Sequence, residues 1–359
     1  MIDFIIIVCF QFWNEYVESI SDRRLFEFRW GLFQRRKLWW VFCRLVSPLF
    51  VYHGIGARSG CLLDGVRRAW PGEGGAMSLL SVSAVVGLVV FAGVVSTIPV
   101  CFDRRSLRQA RRTLDEALFD AAPYLGLVAL VLLFRRFVHD ESVQLSHEVG
   151  RNITDTLFAV EGFFIAHLQA LTPDALVPVF AAFYVFGFTY LLVVPVVLYA
   201  LASATRSLKE LLVAYALNDV IGMSLYTLFV AYGPRLHIAN RVDGLLYDLY
   251  PQVRQLTTAV SANTNVFPSL HTSLSVVVLV FAWRTRENQP RWFAIAAICA
   301  GAIVLSTMVL GIHWLTDVVA GVCLAYVCVV LAGWIVAAVE RRRLNGESAP
   351  THASQGADD

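Results

Sequence analysis

Seven long apolar runs constrain this chain more than any other feature. They cover about residues 78–101, 119–138, 175–202, 211–233, 266–283, 292–312 and 315–339. Each is near the roughly 20 residues a helix needs to cross the hydrocarbon of a bilayer. Helix is the available form for an isolated span, because unpaired backbone amides are not tolerated in lipid. Hydrophobic residues make up 57% of the chain and charged residues 16%, against about 45–50% and about 25% in soluble domains. No single soluble core buries such an excess. The expected fold is all-α, a polytopic membrane helical bundle of about six to seven transmembrane helices. A net charge of +2 gives no polybasic surface for nucleic acid, so the expected partners are the membrane and its lipids. The seven cysteines form no CxxC pair and no even framework, and imply neither a metal site nor a disulfide scaffold.

Basic residues set the expected orientation. The loops at 103–116, 203–210 and 284–291 and the tail opening at Arg341–Arg343 alternate along the chain and hold thirteen of the 29 basic residues. The opposite side has six: Arg135, Arg136, Arg151, Arg235, Arg241 and Arg254. The C-terminus is therefore expected in the cytoplasm, with the 135–174 and 234–265 segments outside. The segment 154–170, which carries Glu161 and His167 and precedes Pro173, reads as an interfacial or re-entrant helix across the bundle mouth. The sequon Asn152-Ile153-Thr154 falls on the expected outer face, where a chance match outweighs a used glycosylation site.

Residues 1–76 differ in texture from the chain beyond Met77. They hold five of the nine tryptophans, three of the seven cysteines and ten basic residues, and contain no run long and uncharged enough to span a bilayer. Their charges would lie on the outer side, against the rule the rest of the chain obeys. The expectation is an upstream extension with Met77 beginning the working protein; a basic, aromatic, membrane-surface arm is the alternative. The expected organisation is then 1–76 extension, 77–150 accessory transmembrane helices, 151–340 catalytic membrane domain, and 341–359 disordered cytoplasmic tail.

Two places carry ionisable groups at span ends. The fifth span opens with Asn265-Val-Phe-Pro268-Ser269-Leu270-His271-Thr-Ser273, and the seventh is preceded by Gly311-Ile-His313-Trp-Leu-Thr-Asp317. The orientation puts His271 and His313 at the same depth on the same side, so they can converge. His313 and Asp317 are four apart and share a helix face, which lets the carboxylate accept the imidazole N–H and raise the basicity of the other nitrogen. Pro268 suits a first helical turn, leaving the Ser269 and Leu270 N–H groups free at the positive end of the helix to hold an anion. His271 beside them can protonate a leaving oxygen. A nucleophile with its orienter, an anion cradle and a second histidine describe phosphoryl transfer through a phosphohistidine. Zinc held by two histidines and an aspartate is the rival chemistry, weakened because a supporting role for Asp317 is equally natural.

Phe267-Pro-Ser-Leu-His271 followed by His313-Trp-Leu-Thr-Asp317 resembles the type 2 phosphatidic acid phosphatase (PAP2) superfamily, and within it the branch of fungal inositol phosphorylceramide synthase. The likeness covers roughly residues 150–340. It implies a helical membrane bundle and a reaction on lipid phosphates that needs no metal or other cofactor. It also implies His313 as nucleophile, Asp317 as its partner, His271 as general acid and then base, and Ser269 as phosphate contact. The chain departs from the superfamily pattern at Thr307, where an arginine is expected six residues before the nucleophile, at Leu270 in place of glycine, and in having no upstream Lys-x6-Arg-Pro. The cationic phosphate partner must then come from Arg235, Arg241 or Arg254. Arg235 is favoured because it directly follows a span end, an interfacial anchor being the alternative.

Asn218-Asp219 inside the fourth span reads as a helix–helix hydrogen bond nearer the cytoplasmic half, away from the histidines. Tyr184, Phe188 and Tyr190 read as packing. The expected function is a membrane lipid phosphatase or phosphotransferase acting at the non-cytoplasmic face, most simply of the plasma membrane. A non-catalytic lipid-binding or transport protein on the same scaffold is the alternative.

Overall fold

The computed structural model describes residues 79–249 and 262–347; the expectations for 1–76, for Arg254 and for the tail beyond Glu347 fall outside them. The helices are α1 (Leu79–Cys101), α2 (Arg104–Val149), α3 (Thr154–Glu161), α4 (Phe164–Leu171), α5 (Val177–Ala182), α6 (Phe188–Leu201), α7 (Thr205–Leu228), α8 (Pro234–His237), α9 (Leu245–Leu249), α10 (Leu270–Arg284), α11 (Pro290–Val309) and α12 (Leu315–Glu347). A π-helical turn, Phe183–Gly187, joins α5 to α6. Among the described residues six helical stretches are long and apolar enough to cross a membrane, and α10 is a shorter apolar helix. The fold is the all-α, polytopic helical bundle that the apolar runs predict.

The bundle is built around α10, which packs against α6, α7, α11 and α12. Its buried face (Leu274, Val277, Val278 and Phe281) joins Leu191, Val194 and Leu198 of α6, Leu208, Leu211 and Leu212 of α7, and Ala296, Ala300 and Ile303 of α11. The rim points large apolar side chains outward instead, among them Phe134, Phe137, Ile298, Tyr326 and Trp334. Several charged residues inside the bundle are paired. At one end of the bundle Lys209 pairs with Asp120, and Glu210 with both Arg206 and Arg284, tying α2, α7 and α10 together.

At the other end the connections form a small cap. Strands β1 (Arg151–Asn152) and β2 (Phe229–Val230) pair in parallel, and Ala231 bridges to Asn265. Leu157, Ile165, Ala231, Val242, Val266, Met308 and Trp314 bury one another beneath this cap. The 154–170 segment, expected as one interfacial or re-entrant helix, forms two short helices, α3 and α4. The sequon is part of this architecture. Asn152 Oδ1 accepts from the N–H and hydroxyl of Thr154, and that hydroxyl oxygen accepts the Tyr232 N–H.

Three expectations are corrected. The second span is the middle of a 46-residue helix, about 69 Å at 1.5 Å per residue. The arginine-rich 104–112 stretch is helical, because arginine is a good helix former and Asp103 caps it by accepting the Ser106 N–H at 2.7 Å. That bond holds the Asp103 carboxyl below the usual carboxylate range. Arg135 is consequently not a loop residue but pairs with Asp219 at 2.5 Å inside the bundle. The last helix also continues through Arg341–Arg343 to Glu347, so the expected tail begins helical. Finally, Asn218 hydrogen-bonds the Ser273 hydroxyl, two residues beyond His271. It does join two helices, but at the level of the histidines.

The reason is depth. Leu270 starts α10 against Gly222 of α7, six residues before that helix ends, or about 9 Å below its tip. The segment before α10 reaches this depth through turns and bends, so α10 is shorter than the other apolar helices.

Candidate active site

The second motif is delivered by a Schellman turn. Helix α11 ends at Val309, and Gly311 adopts φ +67°. The Gly311 N–H donates to Met308 O, and those of Ile312 and His313 to Thr307 O. Thr307, standing where the superfamily pattern has arginine, thus supplies a carbonyl to the turn, while its hydroxyl bonds Val304 O. The Arg235 N–H bonds the carbonyl of the same Gly311 at 3.0 Å, which anchors Arg235 to the turn that carries His313.

His313 is buried at 3% exposure and Asp317 at 0%. His313 Nδ1 lies 3.5 Å from Asp317 Oδ2, longer than a normal N–H···O bond, because the same oxygen accepts the Trp314 N–H at 2.7 Å. Asp317 therefore faces the imidazole and caps its own helix. The next two amides of α12, Leu315 and Thr316, donate to the two oxygens of Glu161. Two carboxylates, one from α3 and one from α12, close the helix start that follows His313.

His271 comes from the first turn of α10, and its ring centroid is 6.4 Å from that of His313. Tyr184 stacks on it at 4.3 Å and 20°, and Phe188 lies at 4.2 Å and 39°. The π turn sets these two aromatics on one ring, and π bulges concentrate at functional sites. Tyr190 lies elsewhere, bonded to Thr97 of α1.

The anion cradle differs from its expectation. Ser269 is the N-cap of α10, so Pro268 lies outside the helix. The Ser269 Oγ accepts the Thr272 N–H, and its own N–H donates to the Asp317 carbonyl at 3.0 Å. The Leu270 side chain packs with Tyr226, Leu324 and Cys328. The Ser269 amide is therefore not free, because α10 and α12 meet backbone to backbone. Gly321 allows the approach: a Cβ there would lie 2.6 Å from the Ser269 carbonyl oxygen.

Of the candidate cations, Arg241 is exposed and lies over Phe163. Arg235 lies over the Tyr247 ring at 5.0 Å, and its Nη2 donates to the Tyr247 hydroxyl at 3.4 Å. Its Nη1 is buried without a protein hydrogen-bond partner, as are His271 Nε2, His313 Nδ1 and Asp317 Oδ1. Buried polar atoms in native proteins are normally paired, so the two histidines and Asp317, with unpaired atoms close together, mark a place where a polar ligand would complete the set, although Thr264, Thr272, Ser275 and Trp292 also hold unpaired buried atoms. Among the described residues no group of three or more His, Cys, Asp or Glu side chains is arranged to hold a metal ion.

The structure brings together His271, His313 and Asp317, ties Arg235 to the same turn, and leaves Arg241 aside. Sequence reasoning missed Glu161, which looked like one more charge on an interfacial helix, and left Tyr184 and Phe188 as packing.

Fold and site define a membrane helical bundle with two histidines converging at one end of its core. Residues 158–331 match the family model of the PAP2 superfamily, a segment that begins in α3, ends in α12 and contains both histidine motifs. Comparison with curated proteins and with solved structures gives no match.

Proposed function

We propose that the chain is an integral membrane lipid phosphatase or phosphotransferase of PAP2 type, in the branch resembling inositol phosphorylceramide synthase. The observation that carries this reading is the 6.4 Å approach of His271 to His313, with Asp317 at one ring and Arg235, whose Nη1 is buried and unpaired, bonded through its backbone N–H to the turn that carries His313.

In the reaction so read, His313 Nε2 attacks phosphorus while Asp317 holds the Nδ1–H. The bond from phosphorus to the lipid oxygen breaks, and His271 gives its proton to the departing alcohol. A water or a second hydroxyl then loses its proton to His271 and attacks the phosphohistidine, breaking the P–N bond and restoring His313. Arg235 stabilises the charge that develops on the phosphoryl oxygens and replaces the cation absent at Thr307. Ser269, its amide taken, retains only its hydroxyl as a donor to phosphate. The arginine distribution supports a cytoplasmic C-terminus and a non-cytoplasmic site, and the plasma membrane is the simplest setting for it.

Incubating the purified chain with lipid monophosphates, diphosphates and phosphoinositol lipids, with and without an alcohol acceptor, tests the reading by product mass. Turnover lost in His313→Ala and in His271→Ala is the expected result. Lipid binding without turnover in the wild type would reject it in favour of a carrier.

A further inference from the structure

The end of the bundle opposite the histidines holds an open cavity of about 650 Å³. It is formed where three helix pairs turn: α1 into α2, α6 into α7, and α10 into α11. This volume is within the range that holds small-molecule ligands, about 300–1,000 Å³.

The cavity's chemistry is one-sided. Among the described residues Arg105 is its one charged lining group, and no carboxylate lines it. The nearest acid in sequence, Asp103, is committed to capping Ser106. Among the described residues no ion pair takes the Arg105 guanidinium. Gln109, Asn288 and Gln289 contribute amides, and Tyr199 and Thr285 contribute hydroxyls, bonded to each other at 3.2 Å. Phe102 and Leu201 supply apolar wall.

One wall is also strained. Ser203 has φ +50°, in the region that favours glycine, and is pinned by a 2.8 Å hydroxyl bond to Thr113. Non-glycine residues held there cluster at ligand clamps and switch regions. Arg291, at the start of α11, is fixed to the Val100 carbonyl at 2.8 Å.

We propose that this cavity binds the phosphate headgroup of an anionic lipid, held by Arg105 and the surrounding amides, in the leaflet opposite the histidine site. The occupant is a lipid rather than soluble phosphate because the cavity opens at helix ends. Directly beyond it α1 and α11 present apolar side chains outward, Val95, Val100 and Ile298 among them, along which acyl chains can lie. Basic pockets between transmembrane helices take anionic headgroups by this chemistry.

Native mass spectrometry of the full chain released from detergent micelles tests the site, with phosphatidylglycerol, phosphatidylcholine of the same acyl chains, and glycerol phosphate as probes. Arg105 is exposed, so Arg105→Glu leaves the fold intact, and an unchanged unfolding temperature verifies this. The expected result is about a tenfold preference for phosphatidylglycerol over phosphatidylcholine, one charge-assisted hydrogen bond's worth. Arg105→Glu should abolish that preference, and Arg104→Glu, the same charge change on a residue outside the lining, should keep it. Equal retention of the two lipids would overturn the proposal, as would equal loss in both variants, which would mean surface charge alone. Competition by glycerol phosphate at the lipid's own concentration would overturn the lipid assignment.

Discussion

Replacing Glu161 tests whether the geometry around His313 is held from outside its own motif. Its two carboxylate oxygens accept the N–H groups of Leu315 and Thr316, and Asp317 accepts that of Trp314. Glu161→Ala removes both acceptors on the first helical turn of α12. Loss of a helix cap costs about 0.5–2 kcal/mol, and a net charged hydrogen bond is worth about 1.5–3 kcal/mol. Leu315 is exposed enough for water to replace its partner, so the expected destabilisation is about 2 kcal/mol rather than the sum of two bonds. The effect on rate should be larger. Freed from Glu161, the turn at His313 can shift, and a displacement of about 1 Å costs on the order of 10²-fold in a positioned reaction. Glu161→Ala is therefore expected to lower kcat about 10–100-fold with KM little changed. Glu161→Gln, which keeps one acceptor oxygen, should recover part of both losses. The assay is phosphate release from a lipid phosphate in mixed micelles, run beside thermal unfolding of the same samples. Wild-type kcat in Glu161→Ala, with the expected loss of stability, would refute the coupling between this cap and the nucleophile.

Other perturbations give separate readouts. Arg235→Ala should lower kcat about 10²–10³-fold, the cost of removing one donor to a developing oxyanion. Its stability should change by no more than about 1 kcal/mol, the worth of the contact over Tyr247, and Arg235→Lys should restore the rate only in part because lysine lacks the planar fork. Gly321→Ala should destabilise the bundle by about 1–3 kcal/mol and depress activity, since its Cβ would enter the Ser269 carbonyl; chemical denaturation of the purified chain measures this. Tyr184→Phe keeps the ring on His271 and should leave kcat unchanged, whereas Phe188→Leu should lower it about tenfold, from the loss of about 1.4 kcal/mol of ring contact.

What was legible in the sequence is what depends on local spacing. The apolar runs gave the spans, and the i, i+4 relation joined Asp317 to His313. Span alternation placed His271 and His313 at one end, where they meet at 6.4 Å. What was not legible depends on contacts between distant segments. Glu161 reaches Leu315 across 154 residues, and no periodicity in α3 distinguishes a capping glutamate from a solvated one. Tyr184 and Phe188 face His271 through the π turn, which breaks the 3.6-residue register from which a face is inferred. The Ser269 amide looks free in any reading of α10 alone; it is occupied because Gly321 lets α12 approach. The depth of Asn218 is not readable from span order alone, because α10 begins well below the tip of α7. Arg135 could be placed in a loop only as long as the second span was expected to end beside it.

Trapping the covalent intermediate is the most direct test of the central claim that His313 carries the phosphoryl group. The full chain is mixed with a ³²P-labelled lipid phosphate, quenched in denaturant at alkaline pH, digested and mapped. The same is done with His271→Ala, in which removal of the base should slow hydrolysis of the intermediate. Alkali-stable, acid-labile label on the peptide containing His313, absent from His313→Ala, is the predicted result. Label that persists in His313→Ala, or turnover of the substrate with no labelled protein in the wild type or in His271→Ala, would contradict it.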